Sequence, residues 1–249
     1  MFKNKVLYTT TLLTSLISLG FSLEYQAEDL RTRPLQWEDQ QFWYNLHASQ
    51  SVCSYFRDGK TRTADQVDFQ FVRSLARYEN NDPRYIHVIE RGIGNEWIPV
   101  GTVVLGGSEK PNFLECAILM HPIYDSKSKC FIDDKNINSS EQVQKRVSED
   151  TQLVAIWGEG IASRIAKWGL NEYTQDLRKK SVSYKWFEKS HEYHESFDGN
   201  SILGILATTS HPISKHFLEK HGFSCQGEKE DCKWGRSMYT NINLVTNNL

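Results

Sequence analysis

The stretch Gly158-Glu159-Gly160-Ile161-Ala162-Ser163 sets two glycines and then small residues at the head of an apolar pattern, Ile161, Ile165 and Trp168, that recurs at helical spacing. A helix start leaves its first main-chain N–H groups without intrahelical acceptors and carries partial positive charge. Bare glycines there open a path for a phosphate or pyrophosphate. Gly158, Gly160 and Ala162 give the access, Ser163 adds a hydroxyl donor, and Arg164 and Lys167 add charge. The same spacing also fits a helix start with nothing bound, and the neighbouring elements decide between the two. Two other constellations carry less. Cys116, in "FLECAILMHP", lies inside a run of strand type with nothing to orient it as a nucleophile, so it reads as a small core thiol. The histidines of "HEYH" (His191 to His194) are three apart, whereas the helical zinc motif needs them four apart around a glutamate. The five cysteines, Cys53, Cys116, Cys130, Cys225 and Cys232, contain no CxxC pair, and no metal site is expected. Cys225 and Cys232 flank a polar turn-like loop and suit a disulfide if the chain is exported; in a cytoplasm all five stay thiols.

The elements that must position the glycine stretch can be read from period and turn chemistry. "LRTRPL" (30–35) predicts a short strand, and "WEDQQFWYNLHAS" and "ADQVDFQFVRSLARY" predict two helices, the second with Val67, Phe71 and Leu75 four apart. "YIHVIER", "WIPVGTVVLGG" and "FLECAILMHP" predict three strands joined by turns short enough for an antiparallel meander. The glycine-headed helix follows, then "ILGILATT" as a fully buried strand. "HPISKHFLEKHGF" predicts a helix with Pro212 near its start and Gly222 at its end, and two strands close the chain. Residues 123–150 and 177–200 are polar without clear period and read as insertions or surface loops; the aromatic residues of "SYKWFEKSHEY" read as packing the second of these onto the domain. With helices on both faces of a mixed, mostly antiparallel sheet, this order gives one α/β (α+β) domain over 27–243.

Bulk properties narrow the partners. A chain of 249 residues with 39% hydrophobic content supports a buried core, which excludes overall disorder. Lysine and arginine number 29 against 31 acidic residues and form no dense run, so a nucleic-acid partner is not expected and a small molecule or protein is. Residues 1–22 differ: Lys3 and Lys5 precede an apolar run with small residues at Ser18, Gly20 and Ser22, the pattern of a signal peptide or an N-terminal membrane anchor. Four threonines and two serines make the run poor as a spanning helix.

On three motifs, in this order, the sequence resembles the GNAT acetyltransferase superfamily, in particular its ribosomal-protein-alanine N-acetyltransferase-like branch. "LRTRPLQWED" looks like that branch's opening strand and acidic helix cap. "WGEGIAS" is similar to its acetyl-CoA loop, Gln/Arg-x-x-Gly-x-Gly/Ala, with Gly160 and Ala162 on the two small positions. "HPISKHFLEKHGF" looks like its closing motif, in which Ser214 precedes Lys220, Gly222 and Phe223. The chain departs from the pattern at Trp157, where the family has glutamine or arginine, and at Glu159, which adds a negative charge beside the expected phosphates. Residues 123–157 form a long detour before the loop. His211 and Leu218 stand where asparagine and a tyrosine acid are usual.

The resemblance implies an acetyl-CoA-dependent N-acetyltransferase acting on a primary amine, a protein N-terminus or a small amine, by direct attack with no covalent enzyme intermediate. It implies acetyl-CoA as acetyl donor, held by Gly158, Glu159, Gly160, Ile161, Ala162 and Ser163. Such a reaction needs a proton acceptor for the amine, for which Glu115 on the last meander strand is the first candidate and His121 at that strand's end the competitor. Ser214 is the candidate proton donor to the leaving thiolate. The alternative is a catalytically impaired GNAT-like binding module, exported or membrane-tethered through residues 1–22. Acetyl-CoA is a cytoplasmic metabolite, so an active transferase implies a cytoplasmic chain, while the leader implies export or anchoring.

Overall fold

Val88 and Ile89, neighbours on one strand, bury into two different clusters on opposite sides of one sheet, and that division organises the chain. The computed structural model describes residues 23–228 and 237–241, except residues 55, 57, 58, 81, 83, 85, 108–111 and 210–211. The leader-like segment 1–22, His211 and Cys232 therefore lie outside the described residues.

The chain runs β1 (Leu30–Pro34), α1 (Gln40–Ala48), α2 (Gln50–Cys53), α3 (Ala64–Glu79), then β2 (Ile86–Ile93), β3 (Glu96–Gly107) and β4 (Phe113–Met120). After these come β5 (Ile123–Asp125), β6 (Cys130–Ile132), α4 (Ser140–Ser148), β7 (Leu153–Ala155), α5 (Ile161–Trp168) and α6 (Thr174–Leu177). The last third holds β8 (Ser181–Glu188), β9 (His191–Asp198), β10 (Gly204–Thr209), α7 (Pro212–Lys220), β11 (Ser224–Glu228) and β12 (Ser237–Asn241).

The main sheet has the order β1-β2-β3-β4-β10-β12-β11. Every pairing in it is antiparallel except β4 with β10. Trp43 of α1 and Val67, Phe71 and Leu75 of α3 cover one face, against Leu35, Ile86 and Val88. Ile161, Ile165 and Trp168 of α5 and Leu218 of α7 cover the other, against Ile89, Leu114, Ile205 and Tyr239. Each such side chain removed from water contributes about 1.5–3 kcal/mol, and the four-residue spacing read from the sequence places them on one stripe. α3 also starts as its residues dictate: Thr63 and Gln66 form a reciprocal cap. α7 ends where Gly222 takes φ +81° and the Phe223 N–H returns to Leu218 O.

Residues 123–150 and 177–200 are not irregular loops. The first, completed by β7, forms a three-stranded sheet, β6-β5-β7, closed by α4 over Ile123, Ile137, Val143 and Leu153. The second is the β8–β9 hairpin, whose Tyr184 and Trp186 pack with Ala76, Phe69 and Val72 of α3. Among the described residues, Cys116, Cys130 and Cys225 are free thiols. Among the described residues, no helix is long and apolar enough to cross a membrane.

Candidate active site

β4 and β10 pair in parallel only over Phe113–Glu115 and Gly204–Leu206, although β4 runs on to Met120 and β10 to Thr209. Beyond Glu115 and Leu206 the ladder stops and a gap opens in the middle of the sheet. The His121 N–H donates to Val100 O, so pairing with β3 takes the main-chain groups of alternate residues, 119 and 117. Met120, Ile118 and Cys116 turn theirs to the gap. The gap leads into a cavity of about 470 Å³ walled by Cys116, Ile118 and Met120 of β4, Ala207 and Thr209 of β10, and the start of α5.

The glycine stretch lies on that wall. Gly158 and Gly160 both adopt left-handed backbone, φ +88° and +71°, which a side chain disfavours. A Cβ built on Gly160 would meet nothing within 4 Å, so the space in front of the helix start is open. Gly160 caps α5 without a side-chain acceptor, and the Arg164 N–H is the first to close back, onto Gly160 O. The N–H groups of Ile161, Ala162 and Ser163 precede that bond and form the cradle an anion would need. Gly158, Gly160, Ile161, Ala162 and Ser163 all line the cavity. The Ile161 side chain itself is in the core, so only its main chain is available to a ligand. These residues fit a diphosphate held by main-chain donors.

Glu159 is turned aside. Its carboxylate accepts from Gln144 Nε2 of α4 at 2.9 Å and stands 3.7 Å from the Arg91 guanidinium, whose charge offsets its own. Arg164, read from the sequence as a phosphate partner, is bound bidentately to Asp29 at 2.7 and 3.0 Å. Trp157 walls the cavity, and its indole Nε1 donates to Met120 O.

Glu115 lines the cavity where the strands part. Cys116, Ile118 and Met120 pack with the α5 cluster, while Leu119 packs with Leu46 and Val52 on the α1–α2 side. By the two-residue period of a strand, Glu115 shares the side of Leu119. The cavity opens on both sides: Ser51, Val52 and Phe56 line it from the α2 region, and Ser214, Phe217 and Leu218 of α7 from the other. Cys116 is also on the wall, its thiol pushed up to about 12 by burial and by the charge of Glu115. That makes it a poor nucleophile at neutral pH.

His121 is not brought to the cavity. It is 2% exposed, stacked on Phe131 at 4.1 Å and edge-on to Phe42, and burial lowers its ring pKa to about 4 against a small opposing pull from Asp133. As a competitor of Glu115 for the base it fails on position. "HEYH" lies along β9, away from any helix, and among the described residues no cluster of histidine, cysteine and carboxylates could hold a metal.

The sequence reading missed Asn138, Ser139 and Ser140, which lead into α4 and line the cavity, Ser140 lying directly against Gly158. A signal was present: Ser139 and Gln142 have N-cap spacing ahead of Val143 and Val147, and Ser139 accepts from the Gln142 N–H.

No family model matches the chain, and no curated protein sequence does. Solved structures do match. The RimL ribosomal L7/L12 alpha-N-protein acetyltransferase, in an apo crystal form, aligns with a TM-score of 0.51 at 10% identity, over 87% of this chain and 91% of its own. The fold is that of the GNAT acetyltransferases. The spermidine N-acetyltransferase from Vibrio cholerae, in complex with CoA and spermine, aligns at a TM-score of 0.49 and 14% identity over 86% of this chain and 94% of its own. The acetyltransferase from Agrobacterium tumefaciens str. C58 aligns at 0.49 and 13% over 96% and 99%. In this GNAT fold the inserted β5-β6-α4-β7 unit fills the detour before the glycine loop and supplies one wall of the cavity.

Proposed function

We propose that the chain is an acetyl-CoA-dependent N-acetyltransferase that acetylates a primary amine by direct attack. The observation that carries this reading is the parting of β4 from β10 beside the open start of α5, with one cavity joining the two. Bound acetyl-CoA would supply an activated acetyl thioester. The α5 amides of Ile161, Ala162 and Ser163 hold its diphosphate, and the main-chain groups of Cys116 and Ile118 on the gap-facing edge of β4 align the chain between phosphate and thioester. The amine enters from the α1–α2 side, past Val52 and Phe56, and Glu115 on that side accepts its proton. Ser214, on the α7 side, passes its hydroxyl proton to the departing sulfur and is reprotonated from solvent. Leu218, buried and apolar, cannot serve as that acid. The acceptor is a protein N-terminus or a small amine, the classes handled by the acetyltransferases that share this fold.

The test is calorimetric titration of the full chain with acetyl-CoA and with CoA, followed by an acetylation assay against a panel of peptides and small amines. Micromolar binding that Gly160→Glu abolishes supports the transferase. Glu115→Gln should then lower turnover at least tenfold, the usual size of a general-base contribution being about a hundredfold or more, with CoA affinity unchanged. One observation favours a second reading, a GNAT-like binding module tethered or exported through residues 1–22: among the described residues that line the cavity there is no lysine or arginine. Absence of heat with either ligand at millimolar concentration would leave that module as the reading.

A further inference from the structure

Four charges surround the start of α5, and they cancel. Arg91 comes from β2, Arg164 from the first turn of α5, Asp29 from the segment before β1, and Glu159 from the glycine stretch itself. Arg164 is fully engaged with Asp29, two short bonds in fork geometry. Arg91 is engaged differently. One of its nitrogens donates to Ala155 O, which fixes the guanidinium beside the strand that leads into the loop, and another stands 3.7 Å from Glu159, too long for a direct hydrogen bond. Glu159 takes its short bond from Gln144 instead, at 2.9 Å. The Arg91–Glu159 contact is thus a charge pairing without a bond, at a carboxylate that is partly open to solvent.

We infer that Glu159 sets the anion affinity of the cradle by holding Arg91 in reserve, and that a phosphate seated on the α5 amides competes with Glu159 for that guanidinium. The inference rests on the cofactor reading given above and names a residue that tunes it. A carboxylate adjacent to the amide cradle repels a diphosphate; an arginine paired with it restores neutrality but offers no net attraction. Removing the carboxylate while keeping its shape changes both terms in one direction, because the repulsion goes and the guanidinium is released to the ligand. The cradle as built is self-limited, so that binding rests on main-chain donors and the bound ligand leaves readily.

The experiment is a titration of CoA, and separately of pantetheine, which lacks phosphates, into the full-length wild type, Glu159→Gln, Arg91→Met and the double variant. Gln keeps the acceptor oxygen for Gln144, so the loop retains its tie to α4. The expected result is about tenfold tighter CoA binding by Glu159→Gln at low salt, shrinking at about 0.5 M salt, where exposed charges are screened within roughly 4 Å. Arg91→Met in the Glu159→Gln background should abolish the gain, and pantetheine affinity should be the same in wild type and Glu159→Gln. CoA binding that Glu159→Gln leaves unchanged or weakens overturns the inference while the cofactor reading stands, as does a gain that survives Arg91→Met or appears equally with pantetheine. CoA binding by none of the four proteins overturns the cofactor reading and this inference with it.

Discussion

The indole Nε1 of Trp157 donates to the main-chain oxygen of Met120 at 3.0 Å, and so ties the residue before the glycine stretch to the last residue of β4. The Met120 carbonyl faces the gap and has no β10 partner there, since that ladder ends at Glu115 and Leu206. The ring therefore lines the cavity as part of its frame. Trp157→Phe keeps most of the ring and deletes the donor. It should raise the KM for acetyl-CoA by about three- to tenfold, the worth of roughly one hydrogen bond, with kcat little changed. Steady-state kinetics checks this, and an unchanged KM would mean that the tie does not position the cradle.

Gly160 and Gly101 make opposite demands on an added methyl. At Gly160 the methyl meets open space, yet the backbone is left-handed, which costs an L-residue about 1–2 kcal/mol. At Gly101 the methyl would come within 2.3 Å of Leu119 O and 2.5 Å of Met120 Cγ, inside the β3–β4 ladder. Gly101→Ala should therefore unfold the chain at much lower temperature. Gly160→Ala should lose CoA affinity more than its modest loss of melting temperature explains, because the methyl occupies ligand space. Parallel thermal melts and titrations separate the two.

The β8–β9 hairpin is fastened to α3 through one carboxylate. Glu195 accepts from Arg73 Nε at 2.6 Å, the Tyr184 hydroxyl at 3.1 Å and Arg77 at 3.4 Å, with Arg84 at 3.7 Å. Burial opposes its ionisation, but the arginines and the hydroxyl outweigh that and hold the carboxyl at about 2. Glu195→Gln leaves the buried Arg77 and Arg84 with Asp82 as their remaining close carboxylate. The cost should be roughly 2–3 kcal/mol, somewhat below that of breaking a fully buried pair. Hydrogen exchange should show the hairpin losing protection first, and uniform loss over the main sheet would refute this.

Much of this arrangement was legible in the sequence where a local rule forces a residue type. The left-handed turn before α5 demands glycine, so Gly158 and Gly160 announced it; the stripe of α3 demands a four-residue period, so Val67, Phe71 and Leu75 announced that. The hairpin was not legible because its turn residues, Lys189 and Ser190, take φ +46° and +73° without the usual Asn or Gly, leaving no turn signal between β8 and β9. The β6–α4 segment was missed for another reason. Asp133 earns its place by capping α2, accepting from the Ser49 and Ser51 hydroxyls and the Gln50 and Ser51 N–H groups across more than eighty positions of sequence. The pairing of Glu159 with Arg91 is equally non-local. A carboxylate whose partners lie on another element looks, in sequence, like any surface charge.

Two buried histidines make the fold acid-sensitive. His87 sits edge-on between Trp168 and Tyr173 with its pKa lowered by burial to about 3, and His121 lies against Phe131 with its own lowered to about 4. Above pH about 6.5 the ring is neutral in both folded and unfolded chains and neither contributes a pH dependence. As pH falls below that value the unfolded chain takes up protons that the folded chain refuses. Stability is therefore lost from pH about 6.5 down to about 4 for His121 and about 3 for His87, by roughly 3 to 5 kcal/mol each when complete. Both ring nitrogens of His121 are buried, with no hydrogen-bond partner among the described residues. His121→Phe should thus raise the melting temperature at pH 7, by removing unpaired polar atoms, and flatten the decline between pH 6.5 and 4. Melts of wild type and variant across that range check both effects. A decline of unchanged slope would mean that another group takes up the proton, and a lower melting temperature at pH 7 would mean that the imidazole is paired after all.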